Sequence, residues 1–115
     1  VYARVGHEGW KDVRIELPPH SSAAPLRIDF VSALTTIEIA SIRLTKGDET
    51  CFAADAASGF DMLRVAGDAE RLPGPALRLR VTGIDPQLYL PAIHLPADQA
   101  PTVLQTRLRV IPPAL

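Results

Sequence analysis

The side chains with the widest chemical reach in this chain are two aromatics with polar tips and a pair of charged residues spaced to act beside them. Trp10 follows a glycine-bracketed loop, Tyr89 lies on the polar side of a short apolar alternation, and Arg27 and Asp29 sit two residues apart on another. Indole and phenol rings stack on the apolar face of a sugar while guanidinium and carboxylate groups bond its hydroxyls. Trp10, Tyr89, Asp29 and Arg27 are therefore the candidate carbohydrate-binding residues. Each also has an architectural reading. A tryptophan after a loop commonly plugs the end of a core, and Arg27 beside Asp29 fits a solvated charged face whose cross-strand pairs contribute only ~0.2–1 kcal/mol each. For Tyr89 the two readings stand level.

Other chemistries find little to work with. The chain carries no phosphate-cradling glycine loop, nucleophile elbow, zinc-type spacing or acidic calcium loop. Cys51 is the single cysteine and has no histidine near it in sequence, so it reads as a small hydrophobe and forms no internal disulfide. His7, His20 and His94 are far apart and fall in or beside expected loops. Asp85 before Pro86 suits a turn, where its side chain caps the backbone while proline fixes the next φ. The expectation is a domain with no catalytic residue, no metal and no cofactor.

The elements that must position these residues are strands. In Leu26–Phe30 the apolar positions fall two apart, as a half-buried strand requires. Ile37 and Ile39 continue that pattern, but it resumes at Ile42 and Leu44, one residue out of phase. A β-bulge or a corner near Ala40-Ser41 has to absorb the slip, or half the strand would turn its apolar side to water. Val13–Leu17, Leu77–Val81 and Thr102–Ile111 alternate cleanly, with Arg107 and Arg109 expected outward. Val1–Val5 reads as a short terminal strand, Lys46–Glu49 as a hairpin turn into a weak strand over 50–53, and Met62–Ala66 as a strand closed by Gly67-Asp68. Phe52–Ala57 has the composition of a helical turn as its alternative. Gly83–Pro86 reads as a turn ahead of a separate short strand over 87–90. Prolines at 18–19, 91, 96, 101 and 112–113 punctuate the rest. About eight strands with no 3.6-residue period give an all-β chain, read as a two-sheet antiparallel, jelly-roll-like β-sandwich ahead of a closed barrel because of the phase slip and the proline-bounded strands.

Composition bounds the remaining possibilities. A chain of 115 residues is a single domain by size, expected over 1–115, and its start at Val1 inside a strand suggests excision from a longer multidomain protein. The net charge of −1 gives no field to draw nucleic acid or an anionic membrane surface. No run approaches the ~18 apolar residues of a membrane span. The lone cysteine leans toward a reducing, cytoplasmic compartment.

Three phrases carry a resemblance. LRIDF at 26–30, IEIASIRL at 37–44 and VTGIDPQLYLP at 81–91 resemble the LRxDP, IxIxxIxL and late xDPQxxLP of β-sandwich accessory modules. Those modules, similar to galactose-binding-like and jelly-roll carbohydrate-binding domains, are fused to bacterial glycosyltransferases and methyltransferases of surface-polysaccharide synthesis. Phe30 stands where the pattern has proline. The likeness spans roughly residues 10–111 and carries over no catalytic residue; Arg27, Asp29, Asp85, Pro86 and Gln87 match as architecture. It implies a non-catalytic, carbohydrate-binding-like accessory domain of a glycan-modifying enzyme, with a glycan and the neighbouring domain of the parent chain as partners. The alternative is an interaction module that packs on another domain or on a second copy of itself.

Overall fold

A single register change inside one long strand organises the molecule. The structure, a computed structural model, describes residues 2–4, 9–17, 26–31, 35–93 and 100–111. Its strands are β1 (Tyr2–Arg4), β2 (Lys11–Leu17), β3 (Arg27–Val31), β4 (Thr36–Lys46), β5 (Glu49–Asp55), β6 (Arg64–Arg71), β7 (Leu77–Tyr89) and β8 (Thr102–Ile111). Their hydrogen bonds form one continuous sheet in the order β1-β3-β7-β4-β8-β2, with β5 on β4 and β6 on β7. Apart from the three-residue β1, which runs parallel to β3, all pairings are antiparallel. The fold is thus all-β and antiparallel, a curled half-barrel in which the ladder continues across the expected boundary between two sheets.

In β4, Ile37 and Ile39 are buried, and so are Ile42 and Leu44 after the phase change. The pairing with β8 steps from Ile39↔Leu108 to Ser41↔Arg107, which leaves Ala40 as the extra residue of a bulge. Thr106 Oγ1 donates to the Ser41 carbonyl at 2.9 Å at this step. On the other edge of β4 the neighbour changes at the same place. Thr36–Ile39 pair with Leu77–Arg80 of β7, whereas Ser41–Lys46 pair with β5. The slip expected at Ala40-Ser41 is therefore present and is absorbed by a bulge within one continuous ladder rather than at a corner between two sheets, and the change of neighbour there divides the sheet into two arms. One contains β3, the second half of β7 and β6; the other contains β5, the second half of β4, β8 and β2.

A larger excursion lies in β7. Its pairing with β6 passes from Ala69↔Val81 to Gly67↔Pro86, so Thr82–Asp85 stand opposite Asp68 alone. Gly67 has φ +64, and a Cβ there would collide with the Asp85 carbonyl. Two expectations change here. Gly67-Asp68 does not close β6, and Gly83–Pro86 does not separate two strands, because the bulge lets both strands run on. Phe52 belongs to β5 rather than a helical turn, and the helical structure among the described residues is the 3₁₀ turn Phe60–Met62.

Both arms bury their inner faces in one cluster. Ile28, Phe30, Leu88 and Leu90 from the first arm join Ile42, Leu44, Phe52 and Leu104 from the second, with Ile37, Ile39, Leu77, Leu79 and Leu108 around the shared ladder. Each such aliphatic side chain contributes ~1.5–3 kcal/mol when withdrawn from water, which is what holds the curl closed. Arg107 faces outward while Leu108 and Val110 are buried, as the alternation requires. The loop expected over 20–25, the prolines at 18–19, 96 and 112–113, and His7, His20 and His94 lie outside the described residues.

Candidate functional site

Period-2 alternation sends Arg27, Asp29, Gln87 and Tyr89 to the outer face of the first arm, and register sets them side by side. Tyr89 pairs with Arg27 on β3 and with Arg64 on β6, and two residues along β7 Gln87 pairs with Asp29 and Ala66. The phenol therefore lies on a middle strand with a guanidinium on each side. Arg64 places its guanidinium carbon 4.2 Å from the ring centroid, a cation–π contact. Arg27 holds both oxygens of Asp29, with Nε 2.9 Å from Oδ1 and Nη2 donating to Oδ2 at 2.9 Å. The Arg27 guanidinium is held above its ordinary value, first by the Tyr89 hydroxyl and then by Asp29.

The polar chain continues along β7. The Tyr89 hydroxyl donates to Gln87 Oε1 at 3.3 Å, and Gln87 Nε2 donates to Asp85 Oδ2 at 2.7 Å. Asp85 is fixed in turn, since its backbone N–H donates to Asp68 Oδ2 at 3.0 Å. The excursion of β7 thus sets one end of the row. The result is a row on the outer face with one aromatic ring, two guanidinium groups and an amide held by mutual contacts. Asp29 is 7% exposed, whereas the Arg27 side chain is about half exposed. Asp29 accordingly orients the Arg27 side chain. The three carboxylates of the row are each engaged, Asp29 by Arg27, Asp68 by the Asp85 N–H and Asp85 by Gln87.

Trp10 is placed elsewhere. It precedes β2, at the far end of the strand order from β3, and packs on the outer face of the second arm. Arg109 stands 4.6 Å and Arg107 5.8 Å from its ring centroid. Arg109 donates through Nε and Nη2 to Glu38 Oε1 at 2.9 and 2.7 Å, while Arg78 Nε lies 3.6 Å from Oε2. The indole stacks on Arg109, which in turn holds the buried Glu38, and it stays partly exposed instead of plugging the core. Of the four candidates, three meet and Trp10 does not. Cys51 is half-buried against the core, and no group of three or more metal-type ligands occurs among the described residues.

Gln87 and Arg64 join the site from positions that read as architecture and as charged ladder in the sequence. Their signal was present, since both lie on outward positions, but it needed the β3-β7-β6 order to become a neighbourhood. No protein-family model, curated protein or solved structure matches the chain. The functional reading rests on these residues.

Proposed function

We propose that this chain is a non-catalytic glycan-binding module, its half-barrel closing as a jelly-roll-like sandwich, that serves a glycan-modifying enzyme such as a glycosyltransferase or methyltransferase of surface-polysaccharide synthesis. The observation that supports it is the Tyr89 row: an aromatic ring with Arg64 stacked over one face and Arg27 on the neighbouring strand, the Gln87 amide on the next pleat and Asp29 holding Arg27 in place. A ring that stacks and donors that point in fixed directions suit a sugar, which presents an apolar face and a rim of hydroxyls. The module would act by effective concentration, keeping an extended polysaccharide near a tethered active site even when each contact is weak.

Titration of the chain with neutral oligosaccharides, followed by calorimetry or amide chemical shifts, tests this. Binding in the region of ~1 mM is expected, with Tyr89→Ala abolishing it, Asp29→Asn weakening it through Arg27, and Trp10→Ala leaving it unchanged. Absence of saturable binding at these concentrations, or a Tyr89→Ala protein that binds as the parent does, overturns the reading.

One observation favours the interaction reading as well. Ile84, at the tip of the β7 excursion, is 98% exposed, and Met62 is also exposed. A fully solvated aliphatic tip suits insertion into a partner's apolar recess. Sedimentation of the chain and of Ile84→Asp separates the two readings: a dimer that the substitution dissociates supports the second.

A further inference from the structure

The second arm carries a groove with a different chemistry. Its volume is about 410 Å³, and it crosses the outer face of β2, β8 and β4, lined by Asp12, Arg14, Ser41, Arg43, Gln105 and Arg107 together with Val13 and Thr106. Register orders these side chains into two rows. Arg14, Gln105 and Arg43 lie abreast on three adjacent strands, and the next row is Asp12, Arg107 and Ser41. The Ala40 bulge lies at the β4 end of that second row.

Charge in the groove is unevenly satisfied. Arg107 is neutralised by Asp12, with Nη1 3.1 Å from Oδ2 and 3.3 Å from Oδ1. Arg14 reaches Glu16 only at 3.9 Å, with both side chains well exposed. Arg43 donates through Nη2 to the neutral Thr50 hydroxyl at 2.9 Å. Two guanidinium groups on β2 and β4 thus flank the Gln105 amide with donor capacity left over. Strands two apart are separated by ~10 Å, a gap that two arginine side chains can close around one oxyanion, each with a planar fork suited to it.

We infer that this groove is a second ligand site, for an oxyanion carried on a sugar: a uronate carboxylate or a sulfate ester of an acidic glycan. The ligand class extends the glycan reading of the Tyr89 face, but the site itself does not depend on that face. Arg14 and Arg43 hold the anion, while Gln105 and Ser41 donate to and accept from ring hydroxyls and Asp12 accepts from them. The volume lies within the ~300–1,000 Å³ of small-ligand sites. A nucleic acid fits less well. Its unbroken phosphates would meet Asp12 inside the groove and Glu16 beside it, whereas an acidic saccharide alternates anion with hydroxyl.

The test compares four probes on the 115-residue chain at ~50 mM salt: a uronate oligosaccharide, a sulfated one, the neutral oligosaccharide of the same length, and oligothymidylate. At least one acidic sugar is expected to bind ~10-fold or more tightly than the neutral sugar, and the better of the two identifies the oxyanion. Arg14→Gln and Arg43→Gln should each weaken it ~10-fold and the double variant abolish it. Arg43→Lys, which keeps the charge and loses the fork, should fall between. Both arginines are on the surface, so unchanged circular dichroism establishes that the variants are folded. Equal affinity for neutral and acidic sugars, wild-type affinity in the folded Arg→Gln variants, or tighter binding of oligothymidylate overturns the inference. Tyr89→Ala should leave acidic-sugar binding intact. Loss of neutral-sugar binding alone therefore counts against the Tyr89 face and not against the groove.

Discussion

The two arms of the sheet solve the same problem, a charged outer face, in opposite ways. On the β3-β7-β6 arm the polar groups are tied to one another around Tyr89, through Arg27–Asp29, Tyr89–Gln87–Asp85 and the Arg64 stack. Where the β4-β8-β2 arm meets the shared ladder the buried carboxylate Glu38 pairs with Arg109 and Arg78 while Trp10 stacks on Arg109, and other arginines of the arm line a groove. Both arms stack an aromatic ring on arginine. The neighbours decide what that ring can do: Tyr89 stays in a row of oriented donors, whereas Trp10 stacks on an arginine committed to Glu38. The residue type alone therefore does not define a platform, and the partner strand does.

The comparison can be broken most severely at the bulge that joins the arms. Deleting Ala40 removes the bulge residue, so either Ile37 and Ile39 or Ile42 and Leu44 must face water. The expected cost exceeds ~4 kcal/mol, seen as loss of a cooperative thermal transition. A deletion variant with the parent's melting temperature would refute the bulge.

Next in size is a test of the shared core. Leu88→Ala in one arm and Leu104→Ala in the other, both essentially inaccessible, should each cost ~2–5 kcal/mol. Both should lower one and the same transition, monitored by near-ultraviolet and far-ultraviolet dichroism together. Two separated transitions would show arms that fold independently.

The smallest effect sharpens the contrast in electrostatics. Glu38→Ala removes the buried carboxylate shared by Arg109 and Arg78 and should cost ~1–3 kcal/mol. Glu70→Ala removes an equally short pair, 2.8 Å to Arg80, but an exposed one, and should cost less than ~1 kcal/mol. Denaturant titration resolves the difference, and equal costs would mean that burial of Glu38 is not what gives its cluster weight.

Much of the fold could be read from alternation, because period-2 patterning is imposed locally by which face is wet. The phase change after Ile39 located the bulge, and the alternation over 102–111 placed Arg107 on the outside and Leu108 on the inside. What alternation could not supply was strand order. Lys11 pairs with Leu108 and Arg27 with Tyr89, contacts whose sequence separation leaves no local trace. Hence Trp10 and Tyr89, both candidates for stacking on a sugar, came to rest on different arms. The glycines misled for a related reason. Gly67 and Gly83 look like chain terminators, but here they let two backbones and the Asp68 side chain approach closely while the strands continue. The arginine partners were legible in kind and not in detail: Glu38 does gather outward arginines, yet Arg107 goes to Asp12 and Arg80 to Glu70.

The position of β8 has a consequence for synthesis. This strand is translated after the other seven, yet it is inserted between β4 and β2 rather than added at an edge. While Thr102–Ile111 remain in the ribosomal tunnel, one long side of β4 and the whole of β2 have unfilled ladder hydrogen bonds, and the second arm cannot close over the core. Folding must wait for release of that segment, so a ribosome stalled before Thr102 would display two sticky strand edges at once, a natural target for chaperones that recognise extended apolar chain.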